Sequence, residues 1–506
     1  MLTASMSAPD VTDPTSLPKE QKIAALVASA LGILLAALDQ TVVATAGPAM
    51  QRDLHIAPSL YAWMTTSYLV ASTVMVPLWG KLSDLFGRKR TLLIGMTLFI
   101  IGSALCAIAD SLAMLIAYRV LQGLGGAALF TNAFAVTADL FPPQERGKYQ
   151  GIFGAMFGVA SVVGPYVGGF LTDHWGWEWV FLVNLPVGAV ALAVAVIRMP
   201  PLRRARSGPV VIDVAGAALM IVAMVSLLLA LSLGHGASAA RGPDGAAAVG
   251  WPWGSWQIIG LFALSAVGVL AFILVEPRVK EPILDLRMFK KREFWLGCTT
   301  AFVAGLPFIA PIVYLPLFLA KVAGSSASAS GEALMPLTLG IVAANISSGQ
   351  IVSRIGKYKP VLLASLVIQI IGFLIMGFTL TTSSSELEVS LKMIVLGLGL
   401  GPAIPLYTLA IQSTVPMNQI GVATSTAVFA RSVGATVGIT IMSAVFSSAL
   451  ARGAMGPYGP TAEAWTYAAR HTFQICALVA GVAVLLTLLL PAVPLRKHQI
   501  APPPMD

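Results

Sequence analysis

The chain has 506 residues, of which 57% are hydrophobic and 10% are charged, and its formal net charge is +9. A mean hydropathy of +0.84 excludes a water-soluble globular protein, whose composition is far more polar. The positive charge does not indicate a nucleic-acid-binding surface, because the basic residues are scattered over short segments between apolar runs.

Apolar runs long enough to cross a bilayer recur along the chain. About 20 apolar residues in a helix span a hydrocarbon core roughly 30 Å thick. The runs predict 14 spans, at 23–46, 60–79, 91–109, 112–134, 150–172, 180–199, 213–234, 255–276, 294–320, 332–352, 361–380, 389–412, 422–446 and 471–493. We therefore expect an all-α membrane protein with both termini on one side of the membrane.

The basic residues indicate which side that is. Lys and Arg concentrate in every second connection between spans, most densely at 88–90, 203–206 and 290–292. Membrane proteins keep such clusters on the cytoplasmic side, so both termini are predicted to be cytoplasmic. The first 21 residues are polar, which predicts no cleaved signal peptide.

An internal repeat predicts how the spans are grouped. The segment Gly80–Lys89 recurs in altered form as Gly349–Tyr358. Such repeats are typical of transporters built from two related bundles, here of six helices each, related by an axis along the membrane normal. The predicted divisions are a tail at 1–22, a bundle at 23–199, a linker at 200–292 with inserted spans near 213–234 and 255–276, a bundle at 293–493 and a tail at 494–506.

Asp39 lies deep within the first span. On membrane-insertion scales, a charged side chain at this depth costs about 2.5–3.5 kcal/mol. Asp39 should therefore face a cavity or a partner. Arg119, in the fourth span, lies at a similar depth by helix rise. A direct pair is possible but not required, and the arginine could instead be structural. A carboxyl group able to gain or lose a proton at this depth favours a proton-coupled transporter.

Two further motifs have a physical interpretation. Asp84 and Arg88 are four residues apart and can pair across the tight turn that Gly87 permits. In the fifth span, glycines allow a close approach to another helix and Pro165 can bend the span, although plain small-residue packing is an equally simple explanation. These glycines are Gly158, Gly164, Gly168 and Gly169.

The sequence resembles the major facilitator superfamily, specifically its 14-span drug:proton antiporters (the DHA2 group). Residues 80–89 match the family's loop motif Gly-x-Leu-Ala-Asp-x-x-Gly-Arg-Lys with Ser83 in place of the alanine, and 119–125 match Arg-x-x-Gln-Gly-x-Gly. Residues 164–169 match the antiporter motif Gly-Pro-x-x-Gly-Gly, and 38–43 match Leu-Asp-x-Thr-Val-Val. The Asn-x-Ala-Leu-Pro that usually follows is Ala-Thr-Ala-Gly-Pro here.

The resemblance implies roles for these positions. Asp39 and Arg119 would couple transport to protons, and the fifth-span motif would be a hinge. The loop with Gly80, Asp84, Gly87 and Arg88 would latch the two bundles in one state. The repeated copy has Ser353 in place of the aspartate, so we expect a charged latch in the first copy alone.

Candidate cavity walls come from broken spans and isolated polar groups. The ninth and twelfth spans carry several prolines and glycines, and broken helices are tolerated where they line a cavity or pack in protein. Glu332 could be a first-turn acid favoured by the helix dipole or an anionic group at the cavity mouth. Arg431 could be structural or face substrate. The full set of candidates is Gln122, Phe308, Tyr314, Glu332, Tyr407, Gln412 and Arg431.

We therefore expect a proton-driven exporter of amphipathic, cationic drugs or toxic compounds, working by alternating access in the cell membrane. The alternative is a transporter of a lipid or another endogenous amphiphile on the same fold. An enzyme is not expected, because no nucleophile–base set, metal-ligand cluster or phosphate loop is present. The expected partners are a small-molecule substrate, protons and membrane lipids, with no nucleic acid and no cofactor, for a monomeric chain.

Overall fold

The computed structural model describes residues 17–56, 63–202, 213–235, 251–279, 281–322, 334–416, 419–453, 455–456 and 459–491. Within these ranges the chain is helical almost throughout. The helices are α1 Lys19–Asp53, α2 Trp63–Phe86, α3 Arg88–Cys106, α4 Leu112–Leu140, α5 Pro143–Trp175, α6 Trp179–Leu182, α7 Asn184–Arg198, α8 Val214–Leu233, α9 Trp256–Val275, α10 Arg292–Gly305, α11 Ala310–Val322, α12 Met335–Ile355, α13 Lys359–Thr379, α14 Glu386–Leu400, α15 Ala403–Gln412, α16 Ile420–Arg452 and α17 Ala462–Leu489.

Short elements occupy the connections. Two 3-10 turns, Glu276–Arg278 and Leu286–Lys290, follow α9. Strand β1 Gly234–His235 pairs in parallel with β2 Trp251–Pro252, and β3 Met455–Gly456 pairs antiparallel with β4 Gly459–Pro460. The connection 234–254 is described at residues 234–235 and 251–254.

The described helices form 14 segments that are long and apolar enough to cross a membrane, which confirms the predicted number. Three of these segments consist of two helices each, namely α6–α7, α10–α11 and α14–α15. The first and fifth helices run well beyond the predicted spans, because helix hydrogen bonding continues through polar residues at their ends.

The predicted helix breaks are present. Helix α10 ends at Gly305 and α11 begins at Ala310, with Pro307 between them. Helix α14 ends at Leu400, and Gly401-Pro402 precede α15. Proline lacks the backbone N–H and clashes with the preceding turn, which favours an interruption at these two places, although Pro316 lies inside α11.

Helices α1–α7 pack mainly on one another, and so do α10–α17. In both groups, glycines bring two neighbouring helices together. A Cβ on Gly95 would lie 2.3 Å from Cβ of Ala128 across α3 and α4, and one on Gly399 would lie 2.3 Å from the backbone of Gln369 across α14 and α13. Leu129 and Phe99 are buried in the first group and Phe373 in the second. Small residues thus permit the close packing that a membrane interior favours.

The inserted helices α8 and α9 form a separate pair. Gly268 of α9 approaches Ala223 of α8, and α8 also contacts α2. The pair exposes an apolar outer surface that includes Val267 and Leu270, as expected for helices that face lipid. The division of the chain at 199 and 293 stays a prediction.

Candidate functional site

Asp39 lies in the middle of α1 and is fully buried. Its Oδ2 forms an ion pair with Arg119 Nη1 at 2.6 Å. Its Oδ1 accepts hydrogen bonds from Gln122 Nε2 at 2.8 Å and Asn184 Nδ2 at 2.9 Å. Arg119 and Gln122 are three residues apart in α4, so they lie on the same face and reach Asp39 together. The pair that the sequence left open is therefore present.

Arg119 joins three helices. Its Nη1 also donates to Gln122 Oε1 at 2.7 Å, and its Nε donates to the carbonyl of Met64 in α2 at 3.2 Å. The guanidinium lies over the ring of Tyr68, 4.5 Å from its centroid. Within the described part of the chain, Nη2 has no acceptor. A buried ion pair offsets its desolvation only when further bonds support it, and this network supplies most of them.

Asn184 was missed by the sequence analysis. It is the first residue of α7, is fully buried and also donates to Ser103 Oγ at 3.0 Å. Ser103 Oγ in turn donates to the carbonyl of Phe181 at 2.9 Å. The available signal was an amide inside an otherwise apolar span. Gln122, predicted as a cavity wall, is instead fully buried and belongs to this carboxylate network.

Helix α5 lies against α1 one turn beyond Asp39. A Cβ on Gly164 would be 2.0 Å from Thr41 Oγ1, and one on Gly168 would be 2.7 Å from the carbonyl oxygen of Val42. Thr41 Oγ1 also donates to the carbonyl of Ala160 in α5 at 3.0 Å. These two glycines of the antiporter motif therefore set the distance between α5 and the helix that carries Asp39.

One residue of that motif departs from expectation. Gly169 has no atom within 4 Å of the position a Cβ would take, so it makes no close helix contact there. Pro165 lies inside α5, which continues as one helix from Pro143 to Trp175. The hinge role of the motif stays a prediction.

The loop between α2 and α3 forms an ionic cluster. Gly87 has a φ of +93°, a conformation that side chains with a Cβ rarely adopt, and α3 starts directly after it. Arg88 Nη2 pairs with Asp84 Oδ1 at 2.6 Å across this turn, and Arg88 Nε pairs with Asp139 Oδ2 of α4 at 2.8 Å. The predicted pair is present, with Asp139 as a second acid.

Asp84 also binds the second group of helices, α10–α17. Its two carboxylate oxygens accept the backbone N–H groups of Gly421 at 3.2 Å and Val422 at 3.1 Å, in the first turn of α16. A carboxylate in this position satisfies free amides and complements the positive end of the helix dipole. Gly80 allows the approach, since a Cβ there would lie 2.7 Å from the carbonyl oxygen of Gly421. We call this contact the latch.

The repeated loop makes an uncharged contact at the equivalent place. Gln144 Nε2, at the start of α5, donates to the carbonyl of Ser353 near the end of α12 at 2.7 Å. Gly356 ends that helix with a φ of +67°. The first loop thus contacts the other group of helices through a carboxylate, and the second loop through a main-chain carbonyl.

Helices α5 and α12 form the longest contact between the two groups. Gly147 and Gly349 meet backbone to backbone, and Gly158 meets Val342. Between them, Asn345 is fully buried against Gly154, and a Cβ on that glycine would lie 2.4 Å from the Asn345 amide nitrogen. Among the described residues, neither side-chain atom of Asn345 has a hydrogen-bond partner.

Three predicted cavity residues are instead buried in contacts. Gln412 donates to Thr424 Oγ1 at 2.8 Å and accepts from Gln150 of α5 at 3.0 Å, so it bridges the two groups. The Tyr407 hydroxyl bonds Thr487 Oγ1 at 2.9 Å. Tyr314 stacks on a phenylalanine in the core of the second group. The breaks in these spans therefore pack in protein at these positions.

The remaining candidates differ in their surroundings. Phe308 packs half-buried against the same core. Arg431 is half-buried in α16, and no hydrogen bond or ion pair to its side chain occurs in the described part of the chain. Glu332 lies outside the described residues. The described residues contain no group of three or more His, Cys, Asp or Glu side chains that could hold a metal.

A cavity of about 510 Å³ lies beside the latch. It is bordered by α2, the start of α3, and the segment 276–288 that follows the inserted helices. None of the predicted cavity-wall residues lines it. Its charged lining consists of Lys81, Asp84, Arg88, Asp139, Glu276, Glu281, Asp285 and Arg287.

Comparison with known proteins places this architecture in a family. A family model described as Major Facilitator Superfamily matches residues 29–238 and 213–439. The chain is 40% identical over 418 residues to the multidrug transporter protein MdtP of Bacillus subtilis (strain 168), which is 83% of this chain and 74% of that protein. It is 39% identical over 415 residues to multidrug resistance protein 3 of the same organism, which is 82% of this chain and 78% of that protein.

A more distant relative is the tetracenomycin C resistance and export protein of Streptomyces glaucescens, 32% identical over 424 residues, covering 84% and 76%. Solved structures share the fold. The human organic anion transporter MFSD10 (TETRAN) superposes with a TM-score of 0.63 at 17% identity, covering 93% of this chain and 100% of that one. The proton:xylose symporter XylE superposes with a TM-score of 0.65 at 15% identity, covering 93% of this chain and 96% of that one.

The motifs, the 14 membrane helices and the relatives agree with one another. The chain is a multi-pass membrane transporter and not an enzyme, and its span number fits the 14-span drug:proton antiporter group. The protein belongs to the major facilitator superfamily.

Proposed function

We propose that this protein exports amphipathic, cationic drugs or toxic compounds across the cell membrane in exchange for protons. The names of its relatives support drug efflux. The observation that supports proton exchange is Asp39, a fully buried carboxylate within a membrane helix whose charge is balanced by Arg119. A group of this kind can change its charge during transport, because only one proton separates its two states.

Protonation of Asp39 would act on helix packing. With the proton bound, the ion pair with Arg119 is lost and the arginine is left with an uncompensated charge, which is costly in a buried site. Relief requires α1 or α4 to move. Because α1 contacts the glycines of α5 directly after Asp39, and α5 forms the interface with α12, a shift at Asp39 reaches the contact between the two groups.

The direction of exchange follows from the side that is closed. The latch, the Gln144–Ser353 contact and the Gln150–Gln412 bond hold the two groups together near the loop between α2 and α3. The clusters of basic residues support a cytoplasmic position for this side. We infer that the structure represents the state closed to the cytoplasm, and that a proton entering from outside at Asp39 favours opening inward, where a cationic substrate then replaces it.

The energy source gives the first test. Purified protein in liposomes with an imposed pH gradient and no nucleotide should move a cationic dye against its concentration gradient, because the proton gradient alone drives the exchange. Dye movement is followed by fluorescence, with a protonophore added as the control that removes the gradient. Transport that requires ATP and ignores the protonophore would contradict the proposal. Accumulation of a lipid in place of the dye would favour the alternative substrate class.

A second prediction compares two neighbouring glycines of α5. Gly168→Ala should weaken the α1–α5 contact and lower both the melting temperature and transport, because the new Cβ would lie 2.7 Å from the Val42 carbonyl oxygen. The matched control is Gly169→Ala, where the Cβ meets nothing within 4 Å. Both changes gain about 1 kcal/mol of helix propensity, so the difference between them isolates the contact. If the Gly168→Ala and Gly169→Ala variants have equal melting temperatures and equal transport, the proposed role of the α1–α5 contact is wrong.

A further inference from the structure

A second pair of buried acids lies in the inserted helices, away from Asp39. Asp213 precedes α8, and its Oδ1 accepts the backbone N–H of Gly216 at 2.8 Å. Glu276 follows α9, and its Oε1 accepts the backbone N–H of Leu284 at 2.7 Å. The two residues are 5% and 0% exposed, respectively. One oxygen of each carboxyl group is therefore fixed by a main-chain donor.

The other two oxygens face each other. Asp213 Oδ2 lies 2.1 Å, and Glu276 Oε2 2.5 Å, from the position that a Cβ on Gly216 would take. Both oxygens therefore border the same small space beside Gly216. Among the described residues no donor reaches either oxygen. Two ionised carboxylates in contact repel, and burial strengthens that repulsion, whereas one proton between them forms a hydrogen bond.

We propose that Asp213 and Glu276 together bind one proton, which makes the inserted helix pair a second protonation site. Binding changes the charge of the pair from two negative charges to one. The proton bridges Asp213 Oδ2 and Glu276 Oε2 and so ties the start of α8 to the end of α9. The site is distinct from Asp39 in sequence and in its helices, and it does not depend on which substrate the protein carries.

The surroundings connect this site to the latch. Glu276 lines the 510 Å³ cavity that Asp84 of the latch also lines, so the cavity gives a route for protons from that side. Five residues after Glu276, Glu281 forms an ion pair at 2.9 Å with Lys81 of α2, which lies three residues before Asp84 of the latch. The charged groups around the cavity are Lys81 and Asp84 of α2, Arg88 of α3, Asp139 of α4, and Glu281, Asp285 and Arg287 of the segment after α9.

Loss of the shared proton should loosen this connection. Two adjacent negative charges would push the end of α9 away from Asp213, and the segment carrying Glu281 would move with it. The protonated pair, favoured at low pH, keeps the inserted helices in contact with Lys81 of α2, beside the latch. The deprotonated pair, favoured at high pH, weakens the Lys81–Glu281 contact.

Infrared spectroscopy of the full-length protein in lipid nanodiscs tests the proposal directly. The Asp39→Asn background removes the other proposed proton site. In that background we expect a carbonyl band from a protonated carboxylic acid, which disappears as pH is raised from about 5 to about 9. Glu276→Gln should remove this band, and its amide can still donate to Asp213, so the fold is preserved. Asp213→Asn should remove the band too.

The control is Glu281→Gln, which changes an acid of the same cavity that is already paired with Lys81, and it should leave the band unchanged. Absence of any protonated-acid band across the pH range, or a band that survives both Glu276→Gln and Asp213→Asn, would overturn the proposal. The readout needs no substrate, so this outcome is independent of whether the protein exchanges drugs for protons.

Discussion

Asp39→Asn should abolish export that is driven by a proton gradient while leaving substrate binding in place. Asparagine keeps the size of the side chain and can still accept from Gln122 and Asn184, which bond Asp39 at 2.8 and 2.9 Å. It cannot release a proton, and it leaves Arg119 permanently without its counter-charge. The exchange cycle then lacks the step that links proton entry to substrate exit, and we expect concentrative transport to fall at least a hundredfold.

The measurement compares two quantities in the same variant. Gradient-driven uptake into inside-out vesicles should be lost, whereas equilibrium binding of the substrate to purified protein should change less than about tenfold, which corresponds to about 1.4 kcal/mol. Asp39→Glu keeps a titrating group and serves as the partial-activity control. Monodisperse elution from detergent shows that each variant is folded. Wild-type concentrative transport by Asp39→Asn would move the proton site elsewhere in the chain.

The second large effect is expected at the latch. Asp84→Ala removes the acceptor for the N–H groups of Gly421 and Val422 and should destabilise the state closed on that side. Hydrogen bonds to a charged group contribute about 1.5–3 kcal/mol each, so the balance between the two states should shift by at least tenfold. Turnover should fall by roughly that factor, because one half of the cycle becomes sparsely populated.

A graded series separates the latch from a simple charge effect. Asp84→Asn keeps one good acceptor oxygen and should retain more turnover than Asp84→Ala. Asp285→Ala removes an acid from the same cavity without touching α16, and it should behave like the wild type. Initial rates over a range of substrate concentrations distinguish a loss of turnover from a loss of affinity. If Asp84→Ala turns over at the wild-type rate, the loop serves only to orient the chain in the membrane.

Much of the fold follows from local sequence properties. The 14 spans are visible as apolar runs, and the breaks in two of them lie at proline and glycine, which weaken helix hydrogen bonding locally. The Asp39–Arg119 pair could be anticipated from the sequence for a similar reason. Helix rise gives the depth of each residue, and two opposite charges at one depth in the same bundle have few other partners.

The rest depended on contacts between helices that no local pattern contains. Asn184 bonds Asp39 only because α7 packs on α1. Gln412 and Tyr407 were expected at a cavity because they lie in a broken span. Their polar atoms instead reach Thr424 of α16 and Thr487 of α17, which are on other helices. Asp213 precedes α8 and Glu276 follows α9, so the whole inserted helix pair separates them in sequence. Sequence spacing therefore gave no indication that they meet.

The lone amide of Asn345 bears on how quickly the protein can work. Buried polar atoms without partners destabilise the arrangement that contains them by about 1–3 kcal/mol. Here both atoms of the amide lie in the contact between α5 and α12, which joins the two groups of helices. In the proposed cycle this contact has to separate when the protein changes sides, and a contact built only of matched groups would last longer. We therefore expect Asn345 to shorten the dwell time of the closed state.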